Sequence, residues 1–277
     1  MDPQTLIFAF AGIMFIAVAA FGYVPLTLEL SSDRLKQLTA IGAGVLIGSA
    51  FLVIIPEALE IFEGHEEEEE GHEEEEEGHE EEEEGHEEVH IEPSTIGLAI
   101  LGGFVLMLLL EVFGLPHAVH HDEDKDLLGL SATIGLLVHA LVDGLAVGAS
   151  VSSSNETGLI VFVAIMLHKG PAAFGLTSFL KHIKISESKS KWYLFAFALA
   201  SPIMAILAFF VLRDTSFATV DNIGLALLFS AGTFIYVATV DVLPEVHSHD
   251  HNHDPPVWFV ILGIFFVFLI TLMGHNH

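Results

Sequence analysis

Two polar clusters interrupt two neighbouring apolar runs. The first reads His139-Ala140-Leu141-Val142-Asp143-Gly144, the second His168-Lys169-Gly170-Pro171-Ala172. Both runs are long enough to cross a bilayer, where ionisable groups are costly and by default mark a function. His139 and Asp143 stand four apart, which puts them on one face of a helix. A neutral imidazole and a carboxylate on one face supply half of a metal site. Pro171 has no N–H to give to the carbonyl of Leu167, which frees an oxygen one residue from His168. The residues point to a divalent metal ion held at mid-membrane between the two helices.

The rest of the chain suits that setting. Of its 277 residues, 52% are hydrophobic, which fits a polytopic membrane protein rather than a soluble domain. The net charge of −29 is misleading as a bulk property. Residues Glu63 to Glu92 hold nineteen glutamates and no lysine or arginine, leaving only −10 for everything else. Acidity so local gives no reason to expect a nucleic-acid partner. Cysteine is absent, so any metal site must use nitrogen and oxygen ligands, which disfavours Cu(I). Leu6 to Leu28 is too long for a signal-peptide core and reads as a retained first span.

Eight spans are predicted, at 6–28, 37–59, 94–116, 127–152, 157–180, 192–212, 222–245 and 255–274. Seven basic residues (Arg34, Lys36, Lys125, Lys181, Lys184, Lys189 and Lys191) then fall in loops on one side, and only Arg213 on the other. The positive-inside rule puts the seven in the cytosol and both termini outside or in a lumen. The Glu/His-rich segment 63–92 falls on the non-cytosolic side. It repeats Gly-His-Glu-Glu-Glu-Glu-Glu, with His65, His72, His79 and His86 seven apart. It lacks apolar a and d positions, which excludes a coiled coil. Like charges at this density predict a disordered loop that serves either as an acidic linker or as a weak metal collector. Two further histidine groups lie in predicted cytosolic loops: His117, His120 and His121, and His247, His249, His251 and His253.

Spans two and seven share an internal repeat. Ala43-Gly44 is followed by Pro56-Glu57, and Ala231-Gly232 by Pro244-Glu245, with the same thirteen-residue offset from the alanine to the proline. Ile47 and Ala50 match Ile235 and Ala238. These spans are five apart in order and so cross in opposite directions, as do spans four and five with their mid-span histidines. Inverted repeats with broken helices that meet at mid-membrane are a transporter architecture. Other acids sit inside the spans. Glu57 and Glu245 each follow a helix-kinking proline, and Glu111 and Asp241 lie one to two turns from a span end. Their placement suits a transport pathway or coupling role, as does Lys169, whose ammonium cannot ligate a metal. Lys169 is expected to pair with Asp143, Glu111 or Asp241, with Asp143 the best candidate.

The motifs His-x-x-x-Asp-Gly-Leu-Ala-x-Gly in span four and His-x-x-Pro in span five resemble the ZIP (Zrt/Irt-like) zinc transporter family. Residues 167–176 and 230–240 are similar to its zinc transporter nine branch in particular. The resemblance covers nearly the whole chain outside the Glu/His segment. It implies an all-α polytopic membrane protein of eight transmembrane helices, a single transporter domain over 1–277, with a metal site between spans four and five. It implies ligation by His139, Asp143 and His168. Two positions depart from the common family pattern: Ala172 stands where many members carry a carboxylate or histidine, and Lys169 where many carry Asn, Asp or Glu. These departures point to one ion, with a water or another span's oxygen as fourth ligand. The lysine's charge would stand in the space of a second ion.

The expected function is movement of Zn²⁺ into the cytosol from outside the cell or from a Golgi or other secretory-pathway lumen. Zinc is then a transported substrate and not a prosthetic group. The expected partners are the metal ion and the lipid bilayer, with a homodimer left open. A metal-sensing receptor without transport would use the same ligands and is the competing reading. An intramembrane metalloprotease would need His-Glu-x-x-His where span five offers His-Lys-Gly-Pro-Ala, so no enzyme is expected.

Overall fold

A bilayer core offers no partner to a backbone N–H or C=O, so an apolar run there must satisfy itself as a helix. The computed structural model describes residues 2–29, 31–62, 92–114, 123–213, 215, 219–244 and 257–274, and eight helices run through them. They are α1 (Pro3–Thr27), α2 (Ser32–Ser49, continued by a wider turn at Ala50–Ile54 and by 55–62), α3 (Pro93–Gly114) and α4 (Glu123–Ser153). The others are α5 (Asn155–His182), α6 (Glu187–Leu212), α7 (Val220–Tyr236, continued by a wider turn at Val237–Val242) and α8 (Val257–Gly274). Seven of these helices are long and apolar enough to cross a membrane. The expected eighth span, 255–274, is represented by the 18-residue α8, which at 1.5 Å per residue is about 27 Å long. No strand occurs among the described residues. All of 63–92 except Glu92, Glu245, and both loop histidine groups lie outside the described residues.

Short polar side chains start the helices where the sequence provides them. Asp2, Ser154, Ser186 and Thr219 each accept the N–H of the residue three positions on. Ser154 is by itself the turn between α4 and α5, so these two helices are held side by side.

The helices contact one another in a two-fold pattern. α2 packs on α8 and α3 on α7, α1 on α5 and α4 on α6, α2 on α5 and α4 on α7. Exchanging α1 with α6, α2 with α7, α3 with α8 and α4 with α5 turns each of these pairs into another. The remaining large contacts, α1 with α6 and α4 with α5, map onto themselves. That is the contact pattern of an inverted repeat. Glycines set the closest approaches. A Cβ on Gly44 would lie 2.0 Å from the Val260 carbonyl oxygen of α8, and one on Gly232 would lie 1.9 Å from that of Ile100 in α3. Only a residue without a side chain fits either crossing.

The sequence puts a helix-kinking proline in each of spans two and seven. In the structure α2 and α7 are not broken but widened. The N–H of Ile55 bonds the carbonyl of Ala50, and that of Leu243 bonds the carbonyl of Ala238, each spanning five residues. Both turns immediately precede a proline of the repeat, Pro56 or Pro244. A proline lacks the N–H for the preceding turn and crowds its carbonyl, and a π turn relieves both. In α5, Pro171 lies inside one helix that runs on to His182.

The basic residues cluster as the topology requires. Lys181 at the end of α5 donates to the carbonyls of Pro25, Leu26 and Leu28 at the end of α1. Lys189 pairs with Asp126 at 2.6 Å, and Lys191 lies 5.6 Å over the ring of Tyr23. The 1–2, 3–4 and 5–6 connections therefore share one end of the bundle. Arg213 lies at the other end, in a pocket with Asp2 and the α4–α5 turn.

Candidate metal centre

α4 and α5 place their polar residues near the middle of each helix, facing one another. α4 comes close to α6 on its other side, because Gly144 and Gly148 would each put a Cβ 2.4 Å from a carbonyl oxygen there, Ser201 and Ala205. His139, Asp143 and His168 are fully buried, with 0–1% of their surface exposed. His139 Nε2 lies 3.2 Å and His168 Nε2 3.1 Å from one oxygen, Asp143 Oδ2. One ligand atom from each of the three residues lies within 4.8 Å of the others. Ligands bonded to zinc at about 2.0–2.1 Å stand roughly 3.3 Å apart in a tetrahedron, so small side-chain shifts would let these atoms take one ion.

Lys169 reaches the same oxygen. Its Nζ is 2.6 Å from Asp143 Oδ2 and 5.5 Å from the centre of the Phe197 ring. Of the three acids that the sequence offers as partners, Asp143 is the one it meets. Phe234 of α7 lies against the His139 ring, with centroids 4.3 Å apart.

The sequence reading did not single out Ser230. This buried residue of α7 sits on the other edge of the cluster. Its hydroxyl donates to Asp143 Oδ1 at 2.7 Å and lies 2.7 Å from His139 Nδ1, which is also 3.3 Å from the Ser230 carbonyl oxygen. The available signal was positional. Ser230 is a polar residue directly before Ala231-Gly232, the repeat's point of close helix approach.

Of the remaining predicted residues, Glu57, Glu111 and Asp241 are described, and they are not part of the three-residue cluster. Tyr236 donates its hydroxyl to the Glu111 carboxylate. Asp241 lies in the widened turn of α7, 3% exposed, and its Oδ2 has no hydrogen-bond partner among the described residues. Glu57 is half-buried on α2 just beyond the other widened turn. Ala172 is buried one turn past His168 and offers no ligand.

This set of helices and polar residues has known counterparts. A profile of the ZIP zinc transporter family matches residues 4–127 and 116–271. The chain belongs to the ZIP family. Over its full length it is 42% identical to zinc transporter ZIP9 of Micropogonias undulatus, and the match covers the whole of that relative. It is likewise 37% identical to zinc transporter ZIP9 of Xenopus tropicalis, with both chains fully covered. A more distant relative, zinc transporter zipt-7.2 of Caenorhabditis elegans, is 27% identical over 87% of this chain and 59% of its own. Family membership and the apolar helices together make this an integral, multi-pass membrane protein and support divalent metal transport, with zinc as the substrate of its named relatives.

Proposed function

We propose that this ZIP protein carries Zn²⁺ into the cytosol, from outside the cell or from a secretory-pathway lumen, and that His139, Asp143 and His168 ligate the ion in transit. The observation that carries the reading is the convergence of both histidine nitrogens on Asp143 Oδ2, buried and half-way along α4 and α5. Two imidazoles and a carboxylate are the ligand set that zinc takes when a fourth position stays open. An open position suits a transporter, because an ion held by three ligands can leave more readily than one fully caged. The orientation of the bundle rests on charge. The lysines at one end of the bundle mark the cytosolic side by the positive-inside rule. Glu111 and Asp241 lie toward that same end, on α3 and α7, where a cation leaving the site would need acidic company.

Uptake of radioactive zinc into vesicles reconstituted with the purified protein tests this reading. His139→Ala, Asp143→Ala and His168→Ala should each lose most of the uptake at equal protein abundance. Normal uptake by His139→Ala would overturn the ligand assignment. Zinc binding without accumulation would instead favour a metal-sensing receptor.

A further inference from the structure

The metal-facing atoms of this site are presented by a hydrogen-bond chain that starts in α7. His139 Nδ1 lies 3.3 Å from the carbonyl oxygen of Ser230 and 2.7 Å from its hydroxyl oxygen. A carbonyl oxygen only accepts. The single hydroxyl proton of Ser230 is already given to Asp143 Oδ1 at 2.7 Å, because a carboxylate also only accepts. Both contacts of Nδ1 are therefore satisfied when Nδ1 carries the imidazole proton. The chain then runs one way, from His139 Nδ1–H to Ser230 Oγ and from Ser230 Oγ–H to Asp143 Oδ1.

The consequences fall on the opposite edges of both side chains. With its proton on Nδ1, His139 has a bare lone pair on Nε2, which is buried without a hydrogen-bond partner among the described residues and faces Asp143 Oδ2 at 3.2 Å. A lone pair beside a carboxylate oxygen in a dry interior is satisfied by a cation placed between them. Asp143, held through Oδ1, keeps Oδ2 for the site. Ser230 touches Nδ1 and Oδ1, away from the atoms that face the ion, so it orients ligands without being one.

We propose that Ser230 is a positioning residue of the transport site: it fixes the tautomer of His139 and the rotation of the Asp143 carboxylate, so that Nε2 and Oδ2 face the metal ion. The proposal rests on the assignment of His139 and Asp143 as ligands made above. It also gives α7 a part in the site, since Ser230 supplies both the hydroxyl and the carbonyl. Groups that orient metal-binding histidines in this way are generally worth about 10–100-fold in metal affinity.

The test is equilibrium Zn²⁺ binding to the purified full-length protein, alongside the KM and maximal rate of vesicle uptake. Ser230→Ala removes the hydroxyl. Ser230→Thr and Ser230→Val are of nearly equal size and differ by that hydroxyl alone, so they separate hydrogen bonding from packing. Ser201→Ala is the structural control, because Ser201 is an equally buried serine whose hydroxyl bonds the Ala140 carbonyl and touches none of the ligands. The expected result is zinc affinity weakened about tenfold or more in Ser230→Ala and Ser230→Val, with a matching rise in KM. Ser230→Thr should recover to within about threefold of the parent, and Ser201→Ala should bind as the parent does. Parent-like affinity in Ser230→Ala, or equal affinities for the Thr and Val variants, would overturn the proposal. A His139→Ala arm keeps the two readings apart. If it binds zinc normally, the ligand assignment fails. If it loses binding while the Ser230 variants do not, the ligand assignment stands and the positioning role falls.

Discussion

Lys169 Nζ and Asp143 Oδ2 stand 2.6 Å apart, and that oxygen is the same one that His139 and His168 approach. If Asp143 ligates the ion as proposed, an ammonium and a metal ion would compete for one carboxylate oxygen. With no ion, the lysine compensates a charge that would otherwise be buried alone. With an ion bound, the lysine becomes a positive neighbour. Two unit charges about 4 Å apart interact by about 4 kcal/mol at an effective dielectric of ~20, enough to loosen an ion substantially.

Lys169→Ala should therefore bind zinc more tightly and turn over more slowly than the parent. It should also lower the stability of the zinc-free protein by about 3 kcal/mol, because breaking a buried pair leaves one charge uncompensated. Added zinc should restore much of that loss. Equilibrium binding, vesicle uptake and melting with and without zinc read these effects together. Weaker zinc binding in Lys169→Ala would mean that the lysine holds the ligands in place instead of helping the ion to leave.

The two glycine crossings should be equally intolerant of a methyl group. Gly44→Ala and Gly232→Ala would put a Cβ 2.0 and 1.9 Å from a backbone oxygen, far inside van der Waals contact. A backbone cannot yield as a flexible side chain can, so each should cost more than the roughly 1–3 kcal/mol of ordinary overpacking. Gly12→Ala and Gly97→Ala, with open space around the new Cβ, should be neutral or gain up to about 1 kcal/mol from helix propensity. Thermal unfolding of the four variants in detergent checks the contrast.

Tyr236→Phe removes the hydrogen bond that Tyr236 donates to the Glu111 carboxylate, and a bond to a charged group is worth roughly 1.5–3 kcal/mol. The variant should melt lower by that amount. Asp241→Asn should be mild for stability, since it replaces a buried carboxyl whose Oδ2 is unbonded by a neutral group of equal size. If the acids of α3 and α7 line the ion's exit, it should nevertheless reduce the maximal uptake rate. An unchanged rate would remove Asp241 from the path.

Two lysines at the same end of the bundle should differ in weight. Lys181 caps three carbonyls at the end of α1, so Lys181→Ala should cost about 1–3 kcal/mol. The Lys189–Asp126 pair is more than half exposed on both sides, so Lys189→Ala should leave stability nearly unchanged. Melting temperatures of the two variants decide this.

Much of this architecture is local and could be read along the chain. The cost of burying backbone in lipid makes each long apolar run a helix, so the eight helices follow from composition and length. The repeat of Ala-Gly and Pro-Glu announced the relation between α2 and α7. The i, i+4 spacing placed His139 and Asp143 on one face, and the rarity of buried ionisable groups singled out His168 and Lys169. What spacing could not tell is how each proline would be accommodated, as a break or as a widened turn. That depends on the neighbours against which the helix is held.

The sequence by itself determined which segments cross the membrane, that two of them are related in reverse, and which polar residues are too costly to be incidental. Only the tertiary structure decided which of these residues meet. It chose Asp143 over Glu111 and Asp241 for Lys169, brought both histidines to a single carboxylate oxygen, and set Ser230 behind them. The physical reason is range. Periodicity and burial cost act within a helix and leave their mark in consecutive residues. A hydrogen bond or ion pair between helices depends on distances of a few tenths of an ångström, and these are set where glycines let two backbones touch.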